Sequence, residues 1–292
     1  MPIIKSVIIL FFLLLHKDKQ KMYSNTFNQK YFFTGMVFFM LFSGAILYFP
    51  DFKGDLEHKY IKISIGIISF LINLFVVFQV RFIYKRRILA PAICTLLSIS
   101  TLNLFDDLYL GLAYLLISLV LLFMLDVFPP FSKFKYFNAG LFGYLAAFLY
   151  PPVSLLVIFL FFTTIFMYEK RANIFQYIAG IIIAVLLLVQ IAYLIDQLPA
   201  VIGWFEKIRI PPFSMEFQLP ALLLLGFILL YGFYHCFSES NENQTFDDKN
   251  KQLLLVFYLF FLMIIFALFM GSNYCLLAFA SIPISIVISK SL

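Results

Sequence analysis

Phe105-Asp106-Asp107 sets two carboxylates side by side between two apolar runs. Paired carboxylates can serve as a general base and as a ligand for a phosphate-bound cation. The same residues can also serve a plainer end. An aspartate at a helix start accepts hydrogen bonds from free backbone N–H groups and complements the helix dipole. Asp51, in the acidic stretch "PDFKGDLEHK", is a third carboxylate open to such chemistry. Basic residues gather after two apolar runs, as Arg81, Lys85, Arg86 and Arg87, and again as Lys170 and Arg171. They suit phosphate or anionic lipid headgroups, and they equally suit topology anchors. Cys94, Cys236 and Cys275 stand apart from one another and from His16, His58 and His235. None of these spacings is that of a zinc, haem or disulfide framework, so no metal and no cofactor is expected. Nor is there a nucleophile elbow, a P-loop or a dinucleotide fingerprint.

The elements that must position these residues are membrane-grade. The chain is 63% hydrophobic and 12% charged, against about 25% charged residues in an ordinary soluble domain. Apolar runs near 20 residues recur from end to end, which implies an all-α, polytopic transmembrane helix bundle. Ten spans are expected, near residues 31–49, 63–84, 88–105, 108–127, 136–150, 152–168, 174–195, 217–237, 252–270 and 274–289. Residues 1–21 form a short apolar N-terminal segment that either lies at the interface or precedes the true start at Met22. Residues 22–292 form one transmembrane domain. The loop 196–216, with Trp204 and Phe205, suits a short amphipathic helix on the outer surface. The net charge of +6 reports basic cytoplasmic loops and not nucleic-acid binding, since no arginine-rich patch interleaved with aromatics lies outside the spans.

The stretch from Tyr136 to Tyr168 is 33 residues without a charge, yet it carries Pro151 and Pro152 near its centre. As one helix it would be about 50 Å long, against a hydrocarbon core of about 30 Å. Proline removes a helical hydrogen bond and pushes the residue before it out of the helical region. A hairpin of two short helices is therefore expected, with a single kinked helix as the alternative. Alternating ten spans from a cytoplasmic Met22 puts 15 Lys and Arg inside and 5 outside. That bias orients the chain in a bacterial inner membrane, with the Met22 region and the C-terminus cytoplasmic. Charges are scarce at depth. The polar residues there are the amides Asn73, Gln79, Asn103 and Gln190, which are expected to bond between helices.

Two stretches carry a resemblance: "NAGLFGYLAAFLYPPVSLLVIFLFFTTIFMYEKRANIFQYIAG" at 138–180 and "LLAFASIPISIVISKSL" at 276–292. Both resemble a multipass family of Bacteroidota envelope proteins catalogued as a domain of unknown function, with the likeness running over 22–292. The resemblance implies no catalytic residues. Gly143 followed by four residues and Phe148-Leu149-Tyr150-Pro151 is more distantly similar to membrane glycosyltransferases that use polyprenyl-phosphate sugars. In those enzymes a long first outer loop carries a catalytic acid. Here the loop 50–62 holds Asp51 and Asp55 but is short, which argues against an enzyme.

Three functions are consistent with these readings. The first is a non-enzymatic component of cell-envelope biogenesis, bound to the bilayer and to other membrane proteins. The second is a transferase or polymerase on polyprenyl-linked sugars, with Asp106, Asp107 and Asp51 as acids or metal ligands. In that case Arg86, Arg87, Lys170 and Arg171, on the opposite face, hold lipid headgroups. The third is a carrier of lipid or apolar cargo, with the proline hairpin as its moving part.

Overall fold

The computed structural model describes residues 25–48, 56–79, 88–125, 134–167, 171–194, 225–232 (with 222, 223 and 234), 246–269 and 278–291. Among the described residues the secondary structure is helical, with no strand. The α-helices are α1 (Asn25–Tyr48), α2 (Leu56–Gln79), α3 (Leu89–Ser100), α4 (Leu108–Met124), α5 (Lys135–Leu149), α6 (Ser154–Met167), α7 (Arg171–Leu194), α8 (Phe246–Phe269) and α9 (Ser281–Ser291). Short 3-10 helices, Leu102–Asp106 and Pro151–Val153, precede α4 and α6.

Among the described residues two segments, Lys59–Phe78 in α2 and Asn173–Leu194 in α7, are long and apolar enough to cross a membrane. They are used differently. The α2 segment is 67% buried and the α7 segment 22% buried. Accordingly, α2 packs against α1, α3, α4 and α9, and α7 packs mainly along α5. Phe42 of α1 stacks on Phe70 of α2 with centroids 4.1 Å apart, a pairing worth about 0.5–1.5 kcal/mol beyond the area it buries. Among the described residues the apolar segments of the other helices are shorter, at 10–17 residues. Buried hydroxyls on these helices turn back onto their own backbone. Ser69 donates to the Ile65 carbonyl at 2.7 Å, Thr95 to Pro91 at 2.7 Å and Ser118 to Tyr114 at 2.9 Å. An apolar helix can bury such residues because the i−4 carbonyl accepts their proton.

The proline stretch forms the hairpin and not the kinked helix. Helix α5 has 15 residues and α6 has 14. Tyr150 leaves the helical region, at φ −137° and ψ 98°, and the two prolines open the next turn. In one continuous helix Gly143 and Val157 would lie about 21 Å apart. Instead, a β-carbon at Gly143 would touch Val157 at 3.4 Å. Phe161 then meets Tyr177 of α7, with centroids 5.8 Å apart. The Tyr177 hydroxyl donates to the Val157 carbonyl at 2.8 Å and ties α7 to α6. Helix α6 thus folds back over both neighbours.

The expected span 88–105 is corrected in part. Helix α3 ends at Ser100, and the chain tightens into the 3-10 helix Leu102–Asp106. The cause is Phe105, whose buried ring fills the space beside two glycines. A β-carbon would meet that ring at 3.3 Å from Gly66 and at 3.1 Å from Gly111. The N-terminal segment 1–21 and the loop 196–216 lie outside the described residues.

Candidate functional site

Some of the buried polar residues gather around Tyr114. It lies on α4, 4% exposed, and its ring meets Phe105 and Phe279 edge-on at 6.0 and 5.3 Å. Those two rings fix its direction. The side-chain nitrogen of Asn73, on α2, donates to the Tyr114 hydroxyl. Ser281, at the start of α9, shares a hydrogen bond with the same hydroxyl at 3.2 Å. Cys94 and Ser98, one turn apart on α3, lie beside Ser281 and Tyr114. Tyr258 of α8 is buried within electrostatic range of Tyr114. Five helices thus meet at one phenol.

Three atoms of this centre are left over. Asn73 Oδ1, Ser98 Oγ and Tyr258 Oη have no hydrogen-bond partner among the described residues. Beside Ser98 and Tyr114, a crevice walled also by Phe42, Gly66, Phe70 and Phe105 is too narrow for a water molecule. Among the described residues the centre contains amide, hydroxyl and thiol groups but no carboxylate, imidazole or amine. Those residues supply no group to take a proton from Tyr114 or Cys94 at neutral pH. Its chemistry is that of a hydrogen-bonded clamp between helices. Among the described residues no three His, Cys, Asp or Glu come together to hold a metal.

Of the described carboxylates singled out from the sequence, neither Asp106 nor Asp107 is brought to this centre. Asp107 is the N-cap of α4, and its carboxylate accepts from Tyr109 N at 2.9 Å and Leu110 N at 3.5 Å. Asp106 beside it is exposed. Both sit at the bundle end that carries the Pro151–Pro152 turn, within electrostatic range of the Tyr150 phenol in the case of Asp107. Arg171 opens α7. Asp51, Arg86, Arg87 and Lys170 lie outside the described residues. Of the amides, Asn73 makes the expected interhelical bond, whereas Asn103 and Gln190 are exposed. The signals missed in the sequence are Tyr114 and Ser281, single hydroxyls inside apolar runs.

Capping gives Asp107 a testable weight. Asp107→Ala is expected to cost about 0.5–2 kcal/mol of stability, and Asp107→Asn, which caps as well, close to nothing. Thermal unfolding of the purified variants checks this. A large loss in Asp107→Asn would show that the charge, and not the cap, is what the position requires.

Residues 57–292 match a family of unknown function, DUF6427. The chain belongs to this family. The DUF6427 match takes in α2 through α9, and with them Asn73, Cys94, Ser98, Tyr114, Tyr258 and Ser281. Comparison with curated proteins and with solved structures gives no match. The DUF6427 assignment brings no activity with it, so function rests on the geometry.

Proposed function

We propose that this DUF6427 protein is a multipass integral protein of a bacterial inner membrane and a non-enzymatic component of cell-envelope biogenesis. The observation that carries the membrane reading is α7. Its segment Asn173–Leu194 is 22 residues long and only 22% buried. At 1.5 Å per residue it spans about 33 Å, matching the hydrocarbon core. A helix that is apolar all round and turns its side chains outward needs lipid around it. The basic clusters and the 15-to-5 charge bias support ten spans with the Met22 region and the C-terminus inside.

The closed Tyr114 centre supports the non-enzymatic part. Among the described residues it clamps helices, offers no carboxylate, imidazole or amine, and borders a crevice too narrow for a water molecule. A carrier of lipid or apolar cargo calls for an opening at the proline hairpin, and Val157 instead packs on Gly143. The transferase reading keeps one favourable observation, the exposed Asp106 at the same bundle end as Asp107 and the proline turn.

Native mass spectrometry of the protein extracted gently from its own membrane tests the proposal. A second membrane protein retained in stoichiometric amount is the expected result. A retained polyprenyl-phosphate lipid, together with loss of glycan assembly in Asp106→Asn, would overturn it in favour of the transferase.

A further inference from the structure

One polar residue on α7 is out of place. From Ile181 onward the helix is apolar, and most of its side chains are exposed. Ile183, Leu187 and Leu194 are 40%, 42% and 80% exposed. Gln190 lies in the same row and is exposed as well. The spacing 183, 187, 190, 194 alternates four, three and four residues, which is the seam of a heptad repeat. Leu186 and Ile191 flank it at 55% and 53%. No hydrogen bond reaches Gln190 among the described residues.

Resting on the membrane reading above, this seam faces lipid. Isoleucine and leucine are at home there. A primary amide is not, because hydrocarbon offers its two N–H donors and its carbonyl oxygen no partner. The side chain therefore requires a partner that brings both a donor and an acceptor to this depth. A second Gln190 does so. Across a two-fold axis each amide donates to the carbonyl oxygen of the other, and the apolar seam residues above and below pack knob-into-hole. The seam carries no charge, so nothing in it asks for an oppositely charged partner helix. We propose that α7 is a self-association helix, with Gln190 pairing to Gln190 of a second copy inside the bilayer.

The test is energy transfer between full-length chains carrying donor and acceptor dyes, reconstituted in lipid vesicles at a series of lipid-to-protein ratios. The wild type is expected to associate saturably as a dimer. Gln190→Leu, which keeps the helix apolar and intact, is expected to weaken the dimer by roughly 3- to 20-fold, the range measured for polar contacts between membrane helices. Gln190→Asn, a shorter amide, should retain part of the affinity. Phe175→Leu, off the seam, should leave it unchanged. A monomeric wild type, or a dimer indifferent to Gln190→Leu, overturns the proposal. Alkaline carbonate extraction of the same vesicles separates the two failures. Protein that stays in the pellet but is monomeric overturns the dimer alone, and protein released to the supernatant overturns the membrane reading with it.

Discussion

Gly180→Ala and Gly140→Ala are each expected to destabilise the protein by about 1–3 kcal/mol, although alanine is the better helix former. These two glycines are where α5 and α7 touch. A β-carbon on Gly140 would fall inside the van der Waals limit of the Tyr177 carbonyl oxygen, and one on Gly180 inside that of Phe137. The same atom on Gly180 would also stand 2.8 Å from the Leu141 nitrogen. The opposing atoms are backbone, so no rotamer change relieves the clash and the helices must separate. Separation breaks the contacts around Tyr177, including its hydrogen bond to Val157. Gly180→Leu is expected to abolish monodisperse protein altogether. Gly44 is the control, because nothing lies within 4 Å of a β-carbon there. Gly44→Ala should be neutral or stabilising by up to about 1 kcal/mol. Thermal unfolding in detergent ranks the set. Equal behaviour of Gly44→Ala and Gly180→Ala would show that the close approach does not exist.

The second large effect is at Tyr114. Tyr114→Phe keeps the edge-on contacts with Phe105 and Phe279 and removes only the hydroxyl. It leaves the buried Asn73 nitrogen and the Ser281 hydroxyl without their partner, at a cost of about 1–3 kcal/mol. Tyr114→Ala adds a cavity between five helices and is expected to cost about 3–5 kcal/mol. Asn73→Leu combined with Tyr114→Phe should cost less than the two single changes together, since the double variant leaves neither group stranded. Strict additivity in that cycle would mean the pair is not coupled.

Local chemistry was legible in the sequence, and pairing across the chain was not. Pro151 and Pro152 announced the hairpin because proline acts on its own turn. Asp107 announced a cap because the carboxylate reaches N–H groups two and three residues on. Asn73 stood out as an amide in an apolar run. Tyr114 and Ser281 did not, for they lie 167 residues apart and each alone looks like an ordinary helix residue. The same holds for Gly140 and Gly180. A glycine in a helix carries no mark of the backbone it approaches until the partner helix is in place. The early end of α3 was hidden for a related reason, as only the tertiary slot beside Gly66 and Gly111 draws Phe105 inward.

The central claim is a membrane bundle in which the chain turns back at Pro151–Pro152. Its most direct test is labelling by a membrane-impermeant thiol reagent in right-side-out and inverted vesicles. Single cysteines are placed at Asp106 and at Glu169, with Cys94, Cys236 and Cys275 replaced by alanine. The account predicts Asp106→Cys labelled only from the outer face and Glu169→Cys only from the inner face. Labelling of both from the same face would contradict it.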